Sequence, residues 1–202
     1  DPRDPRFSGF VFKIQANMDP KHRDRLAFVR VCSGRFARDM EVTLTRTGER
    51  LRLSASHRVF GREREIVEEA WPGDVVGFVG KPGLRIGDTL ADDPTLAFDP
   101  VPTFAPEVFA WIRGGSSAQF KAFRKGLEQL LQEGVVQAFQ IEGGRQLVPL
   151  LGAVGPLQFE VVVARLKSEY GVDAVVEPSP WPLLRWMGGE IPDPSALGNG
   201  SQ

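Results

Sequence analysis

Short runs of apolar and polar residues that read as strands occupy the chain from residue 7 to about residue 100. Turn-forming strings such as MDPKH, WPGD and KPG separate these runs, and none of the runs has the period of a helix. Many short strands at this spacing are typical of a closed antiparallel β-barrel. The predicted strands are residues 10–15, 27–32, 41–46, 50–54, 64–68, 75–79 and 85–90.

The pattern becomes helical after residue 102. Residues 107–114 read as a strand, and the string SSAQFKAFRKGLEQLLQEG follows as a helix. Ser116 or Ser117 is the predicted N-cap, and Gly134 is the predicted stop. The apolar face of this helix is predicted to consist of Phe120, Phe123, Leu127, Leu130 and Leu131.

A second helix is predicted in the string GPLQFEVVVARLKSEYG. The three valines at 161–163 favour a strand, because β-branched residues pack well on a pleated surface. Pro156 suits a first helical turn, however, and Gly171 suits the position just after a last turn. We interpret the segment as a helix whose apolar face consists of Leu157, Val161, Val162, Leu166 and Tyr170.

With further strands at 135–141, 145–154 and 172–178, the second half has the order β-α-β-β-α-β of a ferredoxin-like domain. The predicted fold is therefore a β domain followed by an α/β domain. We place the barrel at residues 7–98, the ferredoxin-like domain at 102–188 and a flexible tail at 189–202. Four prolines make residues 94–106 the predicted linker.

The formal net charge of −1 conceals a strong asymmetry. Residues 13–38 contain seven Lys or Arg and two Asp, a charge of +5, whereas residues 39–202 contain 16 Lys or Arg and 22 Asp or Glu, a charge of −6. The predicted turn between the first two strands gathers Lys21, His22, Arg23 and Arg25. Such residues can neutralise phosphates, and Gln15 and Asn17 can add polar contacts to backbone oxygens. The residues thus favour an RNA-binding tip, with a solvated hairpin end as the alternative.

The sequence gives little support for nucleotide binding, metal binding or membrane insertion. The string GDVVGFVGKPG lacks the first glycine of a phosphate-binding loop and has Pro82 at its Ser/Thr position, and no Asn-Lys-x-Asp string is present to recognise guanine. Cys32, His22 and His57 are too few for a zinc site, and we interpret Cys32 as a small buried thiol. No apolar run approaches the roughly 20 residues that span a bilayer. We predict no catalytic residue, metal or cofactor in this chain.

The string FSGFVFKIQANMDPKHRDRLAFVRVCSG resembles the start of the second domain of the peptide chain release factor 3 family, the class II GTPases of bacterial translation termination. The resemblance covers about residues 7–177, and the string RWM at 185–187 is a weaker similarity to the same family. The other similar strings are VEEAWPGDVVGF, RIGDTL, PTFAPEVFAWIR, KGLEQLLQEGVVQAF and LGAVGPLQFEVVVARLKSEYGV.

The resemblance implies an elongation-factor-type barrel followed by a ferredoxin-like third domain. It also implies a cytoplasmic role in removing class I release factors from the ribosome after peptide release. In the family, GTP and Mg²⁺ bind an N-terminal GTPase domain that this sequence does not include, so we expect the chain alone to be inactive. The barrel of such factors faces small-subunit RNA. The implied RNA contacts are Gln15, Asn17, Lys21, His22, Arg23 and Arg25.

The implied partners are the ribosome through its small-subunit RNA, the GTPase domain and, indirectly, class I release factors, with no membrane and no DNA. Because the sequence begins without methionine, we expect a processed product or an excised fragment. Two other classes stay open. One is a free-standing RNA- or ribosome-binding adaptor with the same two-domain plan. The other, an independent hydrolase on a β-barrel, has almost no residue support.

Overall fold

The structure of the chain, a computed structural model, describes residues 1–16, 25–54, 56–60, 63–79, 83–139 and 149–184. The chain divides into two compact units. The first contains residues 1–103 together with 132–134, and the second contains residues 104–131 and the described residues from 135 onward. The tail predicted at 189–202 lies outside the described residues, and the predicted domain boundaries stay predictions.

The first unit is built on antiparallel strands. Eight of its strands form one curled sheet in the order β5-β4-β10-β1-β2-β9-β6-β7, and β3 pairs with β8 in a separate short ladder. The predicted antiparallel barrel architecture is therefore confirmed. The strands are β1 (Ser8–Ala16), β2 (Arg25–Ser33), β3 (Phe36–Ala37), β4 (Glu41–Leu44), β5 (Glu49–Arg52), β6 (Ser56–Phe60), β7 (Glu63–Ile66), β8 (Glu69–Ala70), β9 (Val75–Val79) and β10 (Thr89–Ala91).

The apolar residues of these strands meet in one core. Val11 and Val29 are fully buried, and the rings of Phe36 and Phe78 lie 5.5 Å apart in an edge-to-face contact. Burying a side chain of this size stabilises the fold by about 1.5–3 kcal/mol. Gly34, which follows β2, has φ = 64°, and a Cβ there would lie 2.6 Å from the backbone of Arg6. Only glycine fits this turn without strain.

The sequence missed three strands of the first unit. β3 and β8 are two residues long, which is too short for an alternation to be visible. β6 begins with a buried serine, which a search for apolar positions does not find. Ser56 is fully buried and donates a hydrogen bond of 2.7 Å to the carbonyl oxygen of Val67. The strand predicted at 85–90 is also displaced, since β10 begins only at Thr89, after a turn.

The second unit has the predicted ferredoxin-like order. Its sheet has the strand order β12-β13-β11-β14, and every neighbouring pair is antiparallel. A single 3₁₀ turn, Ser117–Gln119, precedes the first helix. The elements are β11 (Val108–Gly114), α1 (Phe120–Gln132), β12 (Gln137–Phe139), β13 (Leu150–Ala153), α2 (Leu157–Tyr170) and β14 (Ala174–Pro178).

Both helices were predicted, but part of each apolar face was wrong. In α1, Phe123, Leu127 and Leu130 are buried as predicted, whereas Phe120 is 53% exposed. Phe120 is the first residue of α1, at the end of the helix, and its ring is covered by the guanidinium of Arg124 at 5.8 Å. Ser116 has extended backbone before the 3₁₀ turn, and its side chain makes no capping hydrogen bond.

In α2 the predicted ends are confirmed, since Pro156 precedes the helix and Gly171 follows it with φ = 67°. The buried residues are Phe159, Val162 and Leu166. The prediction that Leu157 and Val161 face the core was wrong, because they are 69% and 46% exposed. Apolar residues occur on several sides of α2, so the sequence alone allows more than one apolar face.

Candidate nucleic-acid interface

The predicted RNA-binding tip lies at one end of the β1–β2 pair. Ala16 pairs with Arg25 in the antiparallel register, so residues 17–24 connect the two strands. The register shifts between Val11 and Lys13, which is the mark of a β-bulge. As a result, Val11 and Ile14 point into the core, and the consecutive residues Phe12 and Lys13 are both exposed.

The exposed side of the β1–β2 pair carries two aromatic rings and a cation. Phe12 is 42% exposed, and its ring lies 6.3 Å from that of the half-buried Phe28 on β2. The ammonium nitrogen of Lys13 lies 5.6 Å from the centre of the Phe28 ring, a cation–π geometry. Aromatic faces beside a cation can stack unpaired bases and neutralise the adjoining phosphates.

A second cation, Arg30, is exposed on β2 opposite Phe10. We call Phe12, Lys13, Phe28 and Arg30 the β1–β2 patch. In the described parts of the chain, neither Lys13 nor Arg30 forms an ion pair, so their charges are not compensated. Several other arginines of this unit are paired, in Arg6–Asp93, Arg35–Glu69, Arg38–Glu68 and Arg46–Asp88.

Arg25 has a more structural environment than the sequence indicated. Its half-buried guanidinium donates to the side-chain oxygen of Gln132 and, at 3.4 Å, to the carbonyl oxygen of Leu84, both within the first unit. The carboxylate of Glu133 accepts a hydrogen bond of 2.7 Å from the backbone N–H of Ala16. Arg25 is thus held at the base of the tip by protein contacts.

Of the other predicted RNA contacts, only Gln15 is described. It is half-buried on β1, opposite Leu26. Asn17, Lys21, His22 and Arg23 lie outside the described residues. An RNA-binding role for the six predicted residues therefore stays a prediction.

Cys32 lies on β2, close to the patch. It is half-buried rather than fully buried, and its thiol donates to the carbonyl oxygen of Arg30 at 3.6 Å. Burial raises the pKa of the Cys32 thiol, and the nearby charge of Arg30 opposes this only in part. A thiol with a raised pKa is a poor nucleophile, so the geometry gives Cys32 a packing role.

The side chains that could ligate a metal are dispersed over the part of the chain that the structure describes. Within the described ranges, no group of three or more His, Cys, Asp and Glu side chains is placed to hold a metal ion. His57 is on β6, where its register partners are Ile66 and Gly77. None of the helices in the described part of the chain is long and apolar enough to cross a membrane.

Phe12, Phe28 and Arg30 were not among the RNA contacts predicted from the sequence. The predicted contacts were centred on the turn and did not include the exposed faces of the adjoining strands. The signal was present in the sequence. Phe12 and Phe28 lie at similar distances from the turn on two strands predicted to be neighbours.

Comparison with known families agrees with this architecture. Residues 6–93 match the family described as "Elongation factor G domain 2", and residues 98–199 match "Class II release factor RF3, C-terminal domain". The barrel, the ferredoxin-like domain and these two matches place the chain among the translation factors. More narrowly, the chain belongs to the peptide chain release factor 3 family.

Individual relatives support the same assignment. The chain is 53% identical over 181 residues to peptide chain release factor 3 of Gloeobacter violaceus. The matched region covers 90% of this chain and 34% of that protein. It is 50% identical over 186 residues to the same factor of Synechococcus elongatus, covering 92% of this chain and 33% of that protein. The same factor of Symbiobacterium thermophilum is 50% identical over 191 residues, covering 94% of this chain and 36% of that protein. The chain thus spans about a third of the length of these relatives.

A solved structure shares the fold. The crystal structure of the protein ttk003000868 from Thermus thermophilus matches with a TM-score of 0.71 and 24% identity, covering 86% of this chain and 26% of that one. At this identity the likeness concerns the fold alone.

Proposed function

We propose that this chain is the ribosome-binding portion of a GTP-dependent peptide chain release factor, which promotes the dissociation of class I release factors after peptide release in the cytoplasm. Membership of the release factor 3 family is the observation that carries this proposal, because it extends over about nine tenths of the chain. The family name links the chain to translation termination and so to the ribosome.

In this proposal the β1–β2 patch and the tip at residues 17–25 bind small-subunit RNA. Support comes from the local charge of +5 over residues 13–38 and from the uncompensated Lys13 and Arg30 beside two aromatic rings. Binding to phosphate depends chiefly on such charges, whereas stacking on the rings favours unpaired bases. The negative balance of residues 39–202 limits indiscriminate binding to RNA.

GTP and Mg²⁺ act, in this proposal, in a GTPase domain of the whole protein that is not part of this sequence. The chain itself contributes binding and orientation rather than catalysis. Class I release factors are indirect partners, because their dissociation follows from how the whole factor engages the ribosome.

A chimeric factor tests the proposal. The matching third of the Gloeobacter violaceus factor is replaced by this chain, and the GTP-dependent release of a fluorescently labelled class I release factor from post-termination ribosomes is measured. The intact relative is the positive control, and the relative with this third deleted is the negative control.

We expect the chimera to release the class I factor at a rate within about tenfold of that of the intact relative. A loss of about 1.4 kcal/mol from imperfect contacts between the chain and the rest of the relative corresponds to that factor. A chimera that is folded and binds ribosomes but releases no class I factor would contradict the termination role. That outcome would favour the adaptor with the same two-domain plan.

A further inference from the structure

An apolar groove of about 890 Å³ lies in the second unit, between α2 and the strands β11 and β14. Phe159 and Val163 of α2 form one wall, and Val108 and Val176 contribute from the two strands. Trp181, just beyond β14, also lines the groove and packs edge-to-face on Trp111 at 5.6 Å. The groove is large enough for several side chains of a bound segment.

The groove runs beside an open strand edge. Among the residues that the structure describes, β14 is the last strand of its sheet and pairs only with β11. Hydrogen bonds from Ser179 N–H to Phe109 O (3.0 Å) and from Gly115 N–H to Asp173 O (2.6 Å) flank the pairing. In this antiparallel register alternate residues bond to β11, so the N–H and C=O of Val176 point away from the sheet. Such an edge can accept an added strand.

The rim of the groove is negative. Glu107 and Glu160 are exposed on it, and neither forms an ion pair with any residue that the structure describes. The described residues that line the groove include no Lys or Arg. Cations on β11 and α2 are paired with other carboxylates, in Arg113–Glu177, Arg165–Glu169 and Lys167–Asp173.

We propose that this groove binds an extended segment of a protein partner in which apolar residues alternate with Lys or Arg. The segment adds to the open edge of β14 through the backbone of Val176, its apolar side chains enter the groove, and its cations meet Glu107 and Glu160. The two carboxylates disfavour RNA here by repelling phosphate, so this surface is chemically distinct from the β1–β2 patch. It goes beyond the proposed ribosomal RNA contact.

A short synthetic peptide provides the probe. The fluorescein-labelled hexapeptide Lys-Val-Lys-Leu-Lys-Val is titrated with the full 202-residue chain, and fluorescence anisotropy reports binding. The matched control peptide has Glu in place of each Lys. We expect saturable binding of the Lys peptide, and binding of the Glu peptide that is at least about tenfold weaker, because like charges at the rim oppose it.

Variants locate the binding site. The double variant Glu107→Gln/Glu160→Gln should bind the Lys peptide about fivefold more weakly, the scale of two exposed ion pairs. Ala164→Arg, which adds bulk and positive charge at the groove, should weaken binding further. Glu41→Gln, an exposed carboxylate on β4 of the first unit, is the control and should bind like the parent.

Amide hydrogen exchange separates strand addition from unspecific adhesion. The bound peptide should slow exchange at the N–H of Val176 by at least about tenfold, as expected for an amide that gains a cross-strand hydrogen bond. Equal affinity for the Glu peptide, or full affinity in the double variant, would overturn the proposal. A third outcome would also overturn it: the Lys peptide binds a chain that ends at Leu184 but does not bind the full chain. In that case residues 185–202 would be the occupant of the groove.

Discussion

The carboxylate of Asp88 is buried, with 3% of its side chain exposed, and it accepts two hydrogen bonds from the guanidinium of Arg46, at 2.6 and 3.2 Å. A third hydrogen bond, of 2.7 Å, comes from the backbone N–H of Arg85. Asp88 also raises the pKa of Arg46, chiefly by the hydrogen bond to it. The pair joins the loop after β4 to the turn before β10, two neighbouring strands of the sheet that carries the β1–β2 patch.

Asp88→Asn should destabilise the first unit. The amide keeps the volume of the carboxylate but loses its charge and one acceptor. The free energy of unfolding should fall by about 2 kcal/mol, within the roughly 1.5–3 kcal/mol expected for hydrogen bonds to charged groups. Urea denaturation measures the change. Arg50→Gln, an exposed substitution on β5, is the control and should stay within about 0.5 kcal/mol of the parent. An Asp88→Asn protein as stable as the control would show that the pair contributes no net stability.

Gly126 sets the close approach of α1 and α2. A Cβ at Gly126 would lie 2.7 Å from Leu166 Cδ2 and 2.9 Å from Tyr170 Cγ. Gly126→Ala should therefore lower the free energy of unfolding by about 1 kcal/mol net, because overpacking of about 1–3 kcal/mol exceeds the gain of about 1 kcal/mol in helix propensity. Gly155→Ala, whose Cβ would meet nothing within 4 Å, is the matched control and should be neutral or stabilising. A stabilised Gly126→Ala protein would contradict the packing described here.

The side-chain carboxylate of Asp4, near the start of the chain, should titrate with a lowered pKa. Hydrogen bonds from Arg6 lower the pKa of Asp4 from 3.8 to about 2. Because folding lowers this pKa, the stabilising contribution of Asp4 is complete above about pH 4 and is lost as the pH falls through about 2. Arg6→Gln should raise the pKa of Asp4 toward 3.8, as followed by NMR of the side-chain carboxyl carbon. Arg50→Gln should leave it unchanged, and a pKa that stays near 2 in Arg6→Gln would refute the assigned cause.

Much of the fold could be predicted from the sequence because most of its elements follow local rules. Alternation marked β2 and β4, flanking turn strings marked β1 and β9, and Pro156 with Gly171 marked the ends of α2. Features that depend on tertiary packing were less accessible. The exposed side of α2 was misjudged because apolar residues occur on several sides of the helix, and only contact with the sheet selects the buried one.

The candidate site was only partly accessible for a similar reason. Charge along the sequence located the tip, but strict alternation would have put Phe12 and Lys13 on opposite faces of β1. The bulge between Val11 and Lys13 exposes both residues. A bulge depends on the register with a neighbouring strand, which no short window of sequence contains. The hydrogen bonds of Arg25 depend on residues 59 and 107 positions away.

Phe12 should contribute to RNA affinity by stacking. Phe12→Ala should weaken binding to small ribosomal subunits about fivefold or more, since base–aromatic stacking is worth about 1–3 kcal/mol per base. Because no charge is removed, the salt dependence should not change. Ile66→Ala, a control that removes an exposed apolar side chain from β7, should bind like the parent. Unchanged affinity in Phe12→Ala would remove the aromatic rings from the proposed interface.

The most direct measurement of the central claim is the affinity of this chain for isolated small ribosomal subunits over a salt series from about 50 to 200 mM, the range in which phosphate binding dominates. The parent is compared with the double variant Lys13→Gln/Arg30→Gln. The control is Arg50→Gln, which removes an exposed arginine from β5, a strand separated from β1 by β4 and β10 in the sheet. We expect weaker binding by Lys13→Gln/Arg30→Gln and a log–log slope shallower by about 0.7–0.9 for each phosphate that is no longer neutralised, with the control close to the parent. A Lys13→Gln/Arg30→Gln protein with the affinity and salt slope of the parent would contradict the claim that the β1–β2 patch faces ribosomal RNA.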